Sequence, residues 1–437
     1  MTEKMNYKKT KYVCYYTNLA MASAFCLPPI LFTYFRDMYG LSFTLLGTLI
    51  VANFCTQLLI DLTFSFFGKY FNPHIALRVT PLLTGFGLIV YALIPTLFPQ
   101  SAYAGLVVGT IIFSVAAGLA EVLVSPTVEA LPSDTHAKDM AILHSLYGYG
   151  VVIVIAISSV YLLLFGGENW MYLCLFWAIP PIIAGILLFN SPLPAMNPSV
   201  ATKGKTGTKA TGLLLCAACI FFGSCAENVM MNWISGYLEI SMAIPKILGD
   251  IFGMMLFAAL LSLGRTMYAK RGKNIYKILL AGMAAATACY LIAGLSPIPV
   301  ISLIACAMTG IATSMLWPGS LIYMSEKIPT AGVAAFALMA AGGDLGASLA
   351  PELLGIIADA VSESSWGIGL GINLSITPDQ LGMKVGMLTA AIFPLLGVAI
   401  LLLMKKYFKK HDFSALENIN FESLGTEILN AEDDENL

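Results

Sequence analysis

Glu121, Ser125 and Glu129 lie four residues apart in the stretch GLAEVLVSPTVEALP, residues 118–132, inside a long apolar run. On a helix that spacing makes one polar stripe. An ionised carboxylate at the centre of a membrane helix costs about 2.5–3.5 kcal/mol on insertion scales, so such a group needs a use. The same i, i+4, i+8 spacing recurs in Asn53, Gln57 and Asp61, in Ser224, Asn228 and Asn232, and in Asp344, Ser348 and Glu352. The plainer role for these residues is interhelical hydrogen bonding, which contributes roughly 0.6 kcal/mol each in membranes. Four stripes on separate runs favour a water-filled cavity. A carboxyl at mid-membrane height there can take a proton from one side and release it to the other. Glu129, near the end of its run, reads better as an interfacial ion-pairing group.

The elements that carry these stripes are membrane spans. Hydrophobic residues make up 58% of the chain and charged ones 11%, against about a quarter charged in soluble proteins. Twelve apolar runs are each long enough to cross a bilayer. They fall near 12–35, 43–67, 78–98, 103–131, 140–165, 169–189, 211–236, 247–268, 275–295, 299–325, 331–359 and 385–404. With a cytoplasmic N-terminus, 20 of the 23 basic residues sort to the inside, Arg265 among them, and only Arg36, Lys246 and Lys384 to the outside. One miscounted span would invert every later loop, so the positive-inside rule supports twelve spans with both termini in the cytoplasm. The expected protein is an all-α polytopic membrane protein of the cytoplasmic membrane, embedded in lipid as a monomer. The first run is too long for a signal peptide and is expected to be retained.

Other features exclude other chemistries. The nine cysteines lie in or beside the apolar runs, so Cys216-Ala-Ala-Cys219 reads as packing and no metal site is expected. Lys205 in GKT, residues 204–206, lacks the upstream glycine of a phosphate loop, because Ser199 stands there. Of four histidines only His144 falls within a run, which argues against a membrane-embedded enzyme. No cofactor and no nucleic-acid partner are implied. From His411 onward the tail carries eight acids and no Lys or Arg, the pattern of a solvated extension. Asn373-Leu374-Ser375 fits a glycosylation sequon, a pattern common by chance.

The chain also repeats itself. GLAEVLVSP in the fourth run and GIATSMLWP in the tenth share a glycine eight residues before a proline, at an offset of 192 residues. The same offset places Gly150 on Gly342. The organisation expected is an N-terminal half at 1–190, a linker at 191–210, a C-terminal half at 211–404 and the acidic tail at 405–437. Six is even, so both halves enter from the same side and the repeat is parallel. Two such six-helix halves resemble the layout of major facilitator transporters. Runs three, six, nine and twelve have no acid in their cores, so they should sit outermost, with one, four, seven and ten around the cavity.

Several motifs together resemble the fucose–galactose–glucose:proton symporters. GLAEVLVSP is similar to that family's fourth helix, in which a Gly-Leu-x-Glu opening precedes an Asn-Pro; Ser125-Pro126 stands in that place here. AILHSLYGYG falls on the family's cavity-lining stretch, with His144 and Tyr147 at its Gln and Asn positions. AENVMMNWISGY resembles a polar-aromatic run ending in Trp-Ile, here Trp233-Ile234, and contributes Glu227, Asn228 and Asn232. LGRTMYAK, in the connection after run eight, and the Trp317-Pro318 pair fit as well. The resemblance implies a secondary transporter that moves a sugar with a proton by alternating access. Proton coupling is then expected at Glu121, with Asp344 and Asp61 as further carboxyls. Solute binding is expected at His144, Tyr147, Glu227, Asn228, Asn232, Gln57 and Trp317. One departure matters: the family's helix-one aspartate is missing, and Pro28-Pro29 occupy its place. A facilitator or exporter of a drug, peptide or organic ion, and a transport-inactive sensor, therefore stay open.

Overall fold

The computed structural model describes residues 7–67, 70–133, 136–194, 208–271, 274–328 and 333–411. Residues 195–207 of the expected linker and the acidic tail from 412 lie outside these. Among the described residues twelve helices are long and apolar enough to span a membrane. In the first half they are α1 Tyr7–Tyr39, α2 Phe43–Phe67, α3 Pro73–Leu97, α4 Ala102–Glu129, α5 His136–Phe165 and α6 Trp170–Phe189. In the second they are α7 Thr208–Met242, α8 Lys246–Tyr268, α9 Ile275–Leu295, α10 Pro299–Lys327, α11 Val333–Glu363 and α12 Pro378–Lys410. No strand occurs among the described residues.

Each expected run has its helix, with differences at the ends. The segment LGRTMYAK is not a connection: the helix Leu256–Arg271 continues through it, and Arg265 stands inside the span. A short helix, Ser365–Leu374, occupies the link between α11 and α12, capped by the Ser364 hydroxyl. α12 starts at Pro378 because Thr377 and Gln380 cap it reciprocally, each side chain accepting the other's backbone N–H.

The helices pack as two halves. α3 and α6 pack on α1 and α4 of their own half, and α9 packs on α10 and α12. α12 packs within its half too, except that its Asp379 reaches Arg36 of α1 at 2.5 Å. The halves meet through three helix pairs: α1 with α7, α2 with α11, and α5 with α8. Glycines set the close approaches. A side chain at Gly118 would meet Ile60 and the Gln57 carbonyl of α2, and one at Gly310 would overlap the Phe257 carbonyl of α8. Gly150 of α5 abuts the Leu19 carbonyl of α1, as Gly342 of α11 abuts the Ala217 carbonyl of α7. Both glycine pairs related by the 192-residue offset thus make corresponding contacts in the two halves. Gly310→Ala should lower stability by about 1–3 kcal/mol, since rigid backbone must move. Thermal unfolding in detergent checks this; an unchanged midpoint would show the α8–α10 contact to be loose.

The ends differ. Opposite the termini, cross-half contacts are dense. The Asp359 carboxylate of α11 accepts from the Phe43 and Thr44 N–H groups at 3.0 and 2.6 Å, capping α2 from the other half. Phe32 and Phe43 pack on Trp233 with centroids 5.7 and 5.9 Å apart. Midway, Cys55 and Ser348 approach to 3.4 Å, and Gly148 of α5 faces Ser262 of α8. Towards the termini, the described ion pair stays within one half: Lys11 meets Asp139 at 3.1 Å, beside Tyr15 and Ser133. Among the described residues the contacts between halves thus thin out toward the termini, and the gap lies on that side.

Foremost the Ser133 hydroxyl, against the opposing effect of burial, and then Lys11 and Tyr15, hold the Asp139 carboxyl below its ordinary value of 3.8. A carboxyl lowered in the folded state adds stability above its unfolded value and loses it as pH falls through its folded one. Asp139→Asn should melt below the parent at about pH 6, and the difference should fade as pH falls below the carboxyl's ordinary value of 3.8 and through its lowered folded one. A difference that persists at the acid end would mean that the contribution is not electrostatic.

Candidate functional site

Six ionisable or hydrogen-bonding side chains from six helices converge in the gap. Glu121 of α4 lies within electrostatic reach of Asp61 on α2, Asp344 on α11 and Tyr147 on α5. Tyr147 in turn senses Glu227 of α7 and Arg265 of α8. Glu121 is exposed by area, yet groups from both halves surround it, so the surface it meets is that of the gap. Asp61 and Asp344 follow from the antiparallel run of α2 against α11. Phe43 stands by Gly355, Gly47 by Glu352 and Cys55 by Ser348, and the next turns bring the two aspartates together.

The basic member was missed in the sequence. Arg265 donates from Nη2 to Glu227 Oε1 at 3.2 Å and from Nε to the Ser314 carbonyl at 3.1 Å. That carbonyl is free because residue 318, four positions on, is a proline with no N–H to offer. α10 correspondingly breaks between Thr313 and Leu316. The Trp-Pro motif thus builds a docking point for a guanidinium. The available signal was that Arg265 falls within the bounds of its own apolar run.

A second, polar-aromatic recess lies beside the first. Ala24, Phe25, Pro28 and Pro29 of α1 face Asn53 of α2, Thr110 of α4 and Asn232 of α7. Pro28 and Pro29 leave the Ala24 and Phe25 carbonyls without their helical donors. The Asn53 carbonyl oxygen accepts from Gln57 Nε2 at 3.0 Å and from Ser114 Oγ at 2.6 Å, which orients its amide. Thr110 Oγ1 is buried without a partner. Phe25 meets the Tyr147 ring edge-on at 5.8 Å, joining the recess to the charged cluster.

The structure places the expected residues unevenly. Asp61, Glu121, Tyr147, Glu227 and Asp344 come together. Asn232 lines the recess while its amide donates to the Asn228 carbonyl at 2.9 Å. Asn228 turns back on its own helix to Ser224, and Gln57 is buried at 4% exposure against Asn53. Trp317 packs its ring on Gly343, next to Asp344. The side chains of His144 and Glu129 lie outside the described residues. Cys216 and Cys219 are both fully buried, and Ser320 Oγ donates to Cys219 Sγ at 3.5 Å. The cavity draws on α2, α5, α8 and α11 as much as on the four helices expected around it.

Twelve candidate spans among the described residues thus pack as two halves around a polar gap, the build of a membrane transporter. The sequence model of the Major Facilitator Superfamily matches residues 13–351, and the chain belongs to that superfamily. No curated protein sequence matches it significantly. Among solved structures it is similar to a bacterial homolog of the human lysosomal transporter Spinster in an inward-facing, occupied conformation. That similarity has 14% identity and a TM-score of 0.72, covering 93% of this chain and 98% of the other. A D-xylose–proton symporter shares 15% identity at a TM-score of 0.68, over 88% and 96% of the two chains. The E. coli fucose:proton symporter shares 12% at 0.54, over 89% and 98%. At these identities the likeness establishes the fold alone.

Proposed function

We propose that this chain is a proton-coupled secondary transporter that moves a small polar solute, in the first instance a sugar, by alternating access. The observation that carries the reading is the meeting of Asp61, Glu121 and Asp344 from both halves in a gap closed at one end. Carboxyls shared between rocking halves change surroundings as the halves move, which ties protonation to conformation. The sugar assignment rests on the helix-four motif and on the recess, where Asn53, Thr110 and Asn232 offer amides and a hydroxyl beside Phe25 and Phe32. Hydroxyl groups pair with such amides, and ring C–H faces pack on aromatics. The basic-residue distribution supports cytoplasmic termini in a cytoplasmic membrane, and the molecule works as a monomer with lipid around it. A facilitator is the second reading, favoured by Pro28-Pro29 at the place of the helix-one carboxylate.

Reconstitution in proteoliposomes with an imposed pH gradient and a panel of labelled sugars tests the proposal. Uptake above equilibrium that collapses with a protonophore is expected. Uptake that only equilibrates would leave the facilitator, and no flux of any solute would leave the sensor.

A further inference from the structure

The gap holds more acids than bases. Arg265 is already engaged by Glu227 and by the Ser314 carbonyl. Among the described residues no basic side chain pairs with Asp61, Glu121 or Asp344. Asp344 is 8% exposed and has no hydrogen-bond or ion-pair partner among them, and Asp61 Oδ1 is buried without one. The two other acids buried as whole residues are met, Asp250 by two serines and Lys246, Asp139 by Lys11, Tyr15 and Ser133, while Glu352 Oε2 on α11 shares the unpartnered state of Asp61 Oδ1. A buried carboxyl left unpaired avoids the cost of its charge by holding a proton, and a positive group that arrives from outside can take that proton's place.

We infer that the transported solute carries a protonated amine, which the Asp61–Glu121–Asp344 cluster receives. The inference rests on the transporter reading above and narrows its substrate class. Tyr147 lies within electrostatic reach of Glu121 and meets Phe25 of the recess edge-on, so an aromatic pair spans the two parts of the site. The adjoining recess, reached past Phe25, presents Asn53, Thr110 and Asn232 to hydroxyl groups. A hydroxylated amine, of which an amino sugar is one kind, satisfies both parts. The ammonium group and protons then compete for the same carboxylates, so binding releases protons. Net exchange of amine against proton follows.

Matched ligands that differ by one ammonium group test this on the purified full chain. Binding of glucosamine is compared with glucose, and of 2-phenylethylamine with 2-phenylethanol, by calorimetry in two buffers of different ionisation enthalpy. In at least one pair the amine should bind tenfold or more tightly than the alcohol, with proton release. Asp344→Asn should remove that preference without changing the melting midpoint, and Asp61→Asn serves as the second variant should the first not fold. Equal or tighter binding of both alcohols, or no binding by either amine, overturns the inference. Proton-driven glucose accumulation with inert amines would do so while leaving the carrier intact. Amines that bind with proton release but never cross sealed vesicles would instead sustain the site and remove the transport reading.

Discussion

Replacing Glu121 with glutamine is expected to abolish accumulation of solute against its gradient while exchange between equal pools continues. Glutamine keeps the size of the side chain and much of its hydrogen bonding but cannot take up or lose a proton. Net coupled transport needs proton movement in every cycle; exchange needs only that the loaded halves rock. A pH gradient of about 1.7 units supplies about 2.3 kcal/mol per proton, enough for roughly fiftyfold accumulation whether the solute crosses with the proton or in exchange for it. The variant should fall to about unity, a loss of more than tenfold. Asp61→Asn and Asp344→Asn are the necessary comparisons, because both carboxyls lie within electrostatic reach of Glu121. If one of them alone abolishes accumulation, the proton resides mainly there. Unchanged accumulation and pH dependence in Glu121→Gln would make Glu121 a structural residue.

Spans were the most legible part of this chain, since a bilayer demands about twenty apolar residues and satisfied backbone groups. The stripes were legible for the same reason: Asp61, Glu121 and Asp344 stood out as acids where acids are expensive, and they meet in the gap. Helix ends were less so, because α12 begins with a capping box outside the apolar window. Partners were the least legible. By sequence Arg265 sorts with the inside charges at the end of its run, whereas α8 carries it within the span to Glu227. Asn228 and Gln57 share the stripe spacing of Asn232, but their rotamers direct their amides back along their own helices. Such outcomes depend on which helices touch, and the spacing within one helix does not encode that. Asp250 belongs to the same class: one acid in one apolar run, with partners on two other helices.

That acid carries the second large effect. Asp250 sits fully buried in a π-helical stretch of α8, Gly249–Met255, at the end opposite the termini. It accepts from Ser159 of α5 at 3.2 Å, from Ser235 of α7, and from Lys246 at 3.4 Å. Lys246 also lies 3.8 Å from Glu239 and 6.0 Å from the Tyr34 ring of α1. One carboxylate therefore ties α8 to α5 across the interface between halves. Removing one partner of a buried pair costs about 3–5 kcal/mol. The loss falls on the form closed at this end, because in the open form water can reach Lys246 and the serines. Asp250→Ala should shift the population toward that open form by about a hundredfold or more, by the same free energy. A cysteine placed at Thr33, which is 6% exposed and packs by Gly236 of α7, reports the opening in a background without the nine native cysteines. Its labelling by an impermeant maleimide from that side should accelerate at least tenfold, a cautious fraction of the expected shift. The double variant Lys246→Met with Asp250→Leu should restore slow labelling, since apolar groups of similar volume can replace a buried ion pair without loss. Equal labelling rates in the parent and Asp250→Ala would mean that the aromatic contacts around Trp233, rather than this carboxylate, hold the end shut.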